Sequence, residues 1–117
     1  MTGSPLHAIV DVDAASRAGW TPADLARAFL DGVPAAAVGE IHLAGHSLDA
    51  EGTLLIDSHD APVNEMVWRL YESFVARIGR KPTLIERDGN VPPFAELMRE
   101  RDHAQLILGG EELALAA

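Results

Sequence analysis

Polar and apolar residues along this chain switch repeatedly between a two-residue period and a three-to-four-residue period, the signatures of strands and helices. His7 to Asp13 alternates, with Ile9, Asp11 and Asp13 on one face and Ala8, Val10 and Val12 on the other. This predicts a buried strand that ends in acids. Thr21-Pro22-Ala23-Asp24 is a helix start: Thr21 suits the N-cap, Pro22 the first turn, and Asp24 completes a capping box. Leu25 and Phe29 then share a face, and Gly32 and Pro34 close the helix. Glu40 to Ala44 alternates again as a strand. Ser47 to Gly52 reads as a polar loop, and Thr53 to Ile56 as a brief apolar run before Asp57-Ser58-His59-Asp60. Pro62 opens the clearest helix, and Asp57-Ser58-His59-Asp60 before it reads equally as a polar turn with Asp60 as N-cap or as a metal-binding stretch. Val63, Val67, Leu70, Phe74 and Ile78 form its apolar stripe, and Gly79 stops it. Pro82 to Glu86 is a strand ending in acid, and Pro92-Pro93 precedes a last helix, Phe94 to Leu108, stopped by Gly109-Gly110.

The order β-α-β-(short β)-α-β-α predicts an α/β fold with about three main parallel strands and three helices. Residues 1–117 are expected to form one domain, with an ordered core at about 7–108 and a tail at 109–117. No internal repeat or low-complexity segment interrupts it. Three strands are few for an independent parallel sheet, and 117 residues fall short of the roughly 200–250 that many α/β enzymes use.

Charge narrows the function classes. Nine Lys and Arg against 18 Asp and Glu give −9, with no basic block, so nucleic acid is a poor partner. No Cys is present, which excludes thiolate metal sites and Cys nucleophiles. No apolar run reaches a membrane span, and Met1 to His7 does not resemble a signal peptide, so no membrane and a cytoplasmic location are expected. Neither G-x-x-x-x-G-K-[ST] nor G-x-G-x-x-G occurs, and no G-x-S-x-G surrounds a Ser.

Each strand carries an acid or a His at or near its C-terminal end, where βα folds build their sites: Asp11 and Asp13, His42 with His46 after it, and Glu86. Asp57 and His59, two apart, share a face if that stretch is extended. Imidazoles mixed with carboxylates suit iron, manganese or zinc. His7 and His103 read as partly buried structural residues, Glu40 as a solvated charge at a strand start, and Asp49 and Glu51 as loop surface. Trp68 and Tyr71 read as core or domain-contact residues.

Taken together, I-H-L-A-G-H at 41–46, I-D-S-H-D-A-P-V at 56–63, Val67-Trp68 with Leu70-Tyr71, and P-T-L-I-E-R-D at 82–88 closely resemble the C-terminal part of the multinuclear non-heme iron-dependent oxidative enzymes. This is the family of the methanobactin biosynthesis oxidase, long catalogued as a bacterial domain of unknown function. The likeness runs from about Ala8 to Leu108. It implies a xylose-isomerase-like TIM barrel, two or three iron ions, and oxidative modification of ribosomally made peptides with dioxygen, often with a partner protein that presents the peptide. By the resemblance His42, Asp57, His59 and Glu86 fall on metal-ligand positions, and Asp11 on an acid at a strand end. Asp13, like His46, is a possible ligand or support. Asp13-Ala14 replaces two Asn of the family pattern, and Arg87 replaces a Trp. The family barrel is more than twice as long as this chain, so one copy would hold at most part of a multi-iron centre.

Three functions follow as expectations: a fragment or subunit of such an oxidase, a non-catalytic binding or assembly module with a degenerate metal site, or a zinc-dependent hydrolase. Either of the first two favours a homodimer, or pairing with the missing N-terminal half of the barrel, because sheet edges and an apolar face would otherwise lie open. No catalytic residue is assigned.

Overall fold

The structure, a computed structural model, describes residues 21–109. The expected strand at His7 to Asp13, with Asp11 and Asp13, lies outside them, as does the tail from residue 110. The described residues fall into two units, divided after Val33.

In the first unit, helix α1 spans Pro22–Asp31. Both halves of its capping box are made: Asp24 N donates to Thr21 Oγ1 at 3.2 Å, and Thr21 N donates to Asp24 Oδ2 at 2.7 Å. The Thr21 backbone bond holds the Asp24 carboxyl below its ordinary pKa. Gly32 closes the helix.

The second unit begins with a single 3-10 turn at Ala35–Ala37. Strands β1 (Ile41–Ala44) and β4 (Thr83–Glu86) then pair in parallel, with Ile41 opposite Thr83 and Ala44 opposite Glu86. Between them come the short strands β2 (Ser47–Leu48) and β3 (Leu55–Ile56), which pair antiparallel as a hairpin, and helix α2 (Glu65–Ile78). Helix α3 (Phe94–Ile107) follows β4.

Two elements depart from the sequence reading. The stretch expected as a polar loop contributes β2, because Asp49 folds the chain back: Asp49 N donates to Leu54 O at 2.8 Å, and its carboxylate accepts from Thr53 N and Leu54 N. Helix α2 starts at Glu65, not Pro62, and its N-cap is Asn64, not Asp60; Asn64 Oδ1 accepts from Val67 N at 3.0 Å. Asp60 instead accepts from Ser58 Oγ.

The pleat sorts the parallel pair into two chemistries. Ile41, Leu43 and Ile85 face the helices. There Leu43, Val63, Tyr71, Val75 and Ala104 form the buried core, with Trp68 and Ile107 packed against it. Tyr71 is 3% exposed and its hydroxyl lies 2.7 Å from Thr83 Oγ1. Thr83 spends its one proton on Lys81 O, so Tyr71 donates. Burial raises the phenol pKa. The opposite face carries His42, Ala44, Leu84 and Glu86, and Leu84 there is 50% exposed. One side of the sheet is a helix-covered core and the other is polar at its C-terminal end.

Candidate metal centre

The polar face of the β1–β4 pair and the loop after β3 meet in one row of alternating carboxylates and imidazoles. Glu40 Oε1 lies 2.8 Å from His42 Nε2, and His42 Nδ1 lies 3.4 Å from Glu86 Oε2. The other oxygen of Glu86, Oε1, lies 3.3 Å from His59 Nδ1, which also faces Asp88 Oδ2 at 3.1 Å. On the far side of that ring, His59 Nε2 meets Asp57 Oδ1 at 2.6 Å. Glu86 therefore spans the two imidazoles with one oxygen to each.

The parallel register produces the first half of this row. His42 stands opposite Leu84, so Glu86, two residues on, is its diagonal neighbour on the same face. The second half depends on a turn rather than on an extended strand. His59 has φ +52°, a left-handed conformation uncommon for a residue with a side chain. It is held by its own backbone: His59 N donates to Gly45 O at 3.2 Å, and Asp88 N donates to His59 O at 2.7 Å. Asp57 and His59 thus meet across a bend, and not as members of one strand face.

Of the residues singled out in the sequence, His42, His59 and Glu86 stand in direct contact, with Asp57 on the outer edge of His59. His46 is instead met by Asn64 Nδ2 at 3.5 Å, beside the α2 cap. Glu40 is exposed, as expected, but it is the partner of His42 and not a free charge. Asp88 was not singled out. Its signal was its spacing, two residues past Glu86. Among the described residues, one ligand atom each from His59, Glu86 and Asp88 lie within 4.8 Å of one another, close enough to hold one ion.

Glu100 of α3 ties the loops after β3 and β4 together. Its Oε2 accepts from Val63 N at 2.8 Å, and its Oε1 pairs with Arg87 Nη2 at 3.0 Å. The side chains of Arg87 and Glu100 are 6% and 15% exposed. Arg87 also donates to Asn90 O, and Asn90 Nδ2 reaches Asp60 O. Removing one member of a buried pair strands the other charge, at about 3–5 kcal/mol. Glu100→Ala is therefore expected to destabilise the chain by about 3 kcal/mol, the low end of that range because the pair is not fully dry. Glu96→Ala, on an exposed turn of the same helix, should change stability by less than about 0.5 kcal/mol. Urea unfolding of the two variants checks this, and equal midpoints would show that Glu100 braces nothing.

Both imidazoles titrate above the ordinary His value. For His42 the largest cause is the hydrogen bond its ring donates to Glu40, with Glu86 adding to it. For His59 burial pulls downward, but Asp88, Asp57 and Glu86 together outweigh it. A metal needs the neutral rings. Bound metal is therefore expected to be lost as pH falls through a range starting above about 6.5. The metal-free ion pairs have the opposite sign. A raised folded pKa stabilises the metal-free chain below about pH 6.5, and that contribution fades as pH rises through the folded value. The Tm difference between loaded and metal-free protein should widen from about pH 6 to about pH 8. Metal retention that stays flat down to about pH 5 would exclude both histidines as ligands.

No helix among the described residues is long and apolar enough to cross a membrane. A model of the RiPP precursor modification enzymes MbnB/TglH/ChrH matches residues 8–109. Similar curated proteins carry the name "UPF0276 protein". That of Caulobacter vibrioides (strain NA1000 / CB15N) is 50% identical over 111 residues, covering 91% of this chain and 38% of the relative. That of Bordetella bronchiseptica is 58% identical over 95 residues, covering 79% and 32%. The matched part of the chain thus spans about a third of the length of these relatives, 38% of the first and 32% of the second. No solved structure matches it.

Proposed function

The chain belongs to the family of RiPP precursor modification enzymes MbnB/TglH/ChrH, and on that premise we propose that it forms part of an iron-dependent oxidase acting on ribosomally made peptides. The observation that carries this reading is the Glu86 carboxylate, whose two oxygens each face a different imidazole. One carboxylate with an oxygen for each of two ions is what a multinuclear site requires, and imidazole with carboxylate oxygen suits iron. Bound iron would supply the reaction with dioxygen that oxidises the peptide.

In this reading His59, Glu86 and Asp88 would hold one ion, and His42 with Glu86 would serve another. Asp57 and Glu40 accept from the remaining ring nitrogens, Nε2 of His59 and of His42. That fixes each tautomer and turns Nδ1 toward the centre. The β1–β4 pair is two neighbouring strands of a TIM barrel, with ligands at their C-terminal ends on the inner face. The exposed Leu84 on that face supports a second covering piece, either another copy of the chain or a segment carrying the other barrel strands. Light scattering across a concentration series reads this directly.

Elemental analysis of the purified chain, followed by anaerobic loading with ferrous iron and oxygen uptake in the presence of a synthetic peptide, tests the reading. Iron above one ion per chain or dimer, with peptide-dependent oxygen uptake, is the expected result. Zinc with hydrolysis and no oxygen uptake would replace it with a hydrolase, and a chain that takes up no metal would leave a binding module.

A further inference from the structure

The β2–β3 hairpin, which lies between His46 and Asp57 in the chain, displays more apolar surface than its size can use. Leu48, Leu54, Leu55 and Ile56 are 60%, 59%, 50% and 40% exposed, four of the nine exposed large apolar residues among those described. The pairing puts Leu48 and Leu55 across from each other on one face, while Leu54 and Ile56 fall on the other. The hairpin is nevertheless stiff. Asp49 Oδ1 accepts from Thr53 N and Leu54 N at 2.8 and 3.1 Å, Oδ2 meets Thr53 Oγ1 at 3.2 Å, and Gly52 takes the left-handed conformation at φ +72°. A rigid, exposed apolar ribbon marks an interaction surface.

Its position limits the occupant. β2 begins one residue after His46, and β3 runs straight into Asp57 and His59. The hairpin is a two-stranded sheet, so each strand keeps one unpaired edge among the described residues. An extended peptide can add to such an edge by main-chain hydrogen bonds, with alternate side chains set against the ribbon. Charge selects which peptide. Residues 34–64 contain no Lys or Arg but hold Glu40, Asp49, Glu51, Asp57 and Asp60, whereas Glu65 beyond them is paired with Arg69. A second copy of a chain at −9 would bring like charge onto this face, and a cationic segment would not.

We propose that the β2–β3 hairpin docks an extended, cationic peptide segment through the Leu48–Leu55 pair and delivers the neighbouring residue to the His59–Glu86–Asp88 group. This rests on the reading that the substrate is a peptide, and it names the segment of that substrate the chain recognises.

Three fluorescein-labelled synthetic peptides test it by anisotropy on the full chain: alternating Lys-Leu, alternating Glu-Leu, and alternating Lys-Ser. The Lys-Leu peptide should bind and the other two should not. Leu48→Ser with Leu55→Ser should weaken Lys-Leu binding at least about tenfold, with metal content and circular dichroism unchanged because both side chains face solvent. Lys-Leu binding unaffected by the double variant overturns the proposal. So does a dimer that the double variant dissociates while no peptide binds, which would make a second copy the occupant. Lys-Leu docking by a chain that takes up no iron on anaerobic loading would sink the oxidase reading and leave the docking surface standing. Metal retained without peptide binding would do the reverse.

Discussion

Glu86→Gln is expected to lower bound iron by at least about tenfold, and by more at the second ion than at the first. Gln matches Glu in shape but offers one neutral carbonyl oxygen in place of two charged ones. It cannot serve both His42 and His59, whose nitrogens lie 3.4 and 3.3 Å from opposite carboxylate oxygens. Loss of a mere supporting partner typically costs 10–100-fold in metal affinity, roughly the range into which loss of a shared ligand should fall at the least. The comparison variant is Glu40→Gln, which touches only Nε2 of His42 and should cost less. Elemental analysis after dialysis against a matched buffer decides, and equal iron in the two variants would remove Glu86 from the centre.

Gly45→Ala should have the largest effect on the fold itself. A Cβ built on Gly45 would overlap the backbone carbonyls of Ala61 and Pro62, well inside van der Waals contact. Backbone cannot swing aside as a long side chain can, so the cost should exceed the about 1–3 kcal/mol of ordinary overpacking. Gly45 O also accepts the bond that holds His59 in its left-handed conformation. Stability and metal content should therefore fall together. Gly39→Ala, where no atom stands within 4 Å of the added carbon, is the matched control. Thermal unfolding that leaves Gly45→Ala level with Gly39→Ala would show that the His59 loop can move off without loss.

The parts of this molecule that sequence reveals are those written in local period and local breakers. α1 is announced by Thr21 and Asp24, β1 and β4 by alternation, and the end of α2 by Gly79, whose φ of +88° only glycine adopts freely. β2 is not announced, because two residues cannot show a period and its pairing is imposed by the Asp49 turn. The start of α2 is misread for a related reason. Val63 continues the apolar stripe, yet its N–H is taken by Glu100 from α3, and so it enters the core from outside the helix. In the candidate centre, His42 and Glu86 are legible as polar ends of strands. Asp88 and Glu40 carry only the two-residue spacing, which any exposed strand end also shows. Glu100 carries no signal, since it acts wholly across the tertiary fold.

The register of the β1–β4 pair also bears on how the molecule folds. His42 and Glu86 become neighbours only when two strands separated by the entire hairpin and α2 have paired in parallel. Loop-closure entropy must be met before that contact returns anything, which makes such pairing slow compared with helix or hairpin formation. The hairpin and the α2 cap can form early from neighbouring residues, whereas the two halves of the carboxylate–imidazole row join late. Mutations that loosen the row should therefore speed unfolding and leave the folding limb of a chevron almost unmoved. A metal ion would find its ligands assembled only after the rate-limiting step, so added iron should slow unfolding without hastening folding.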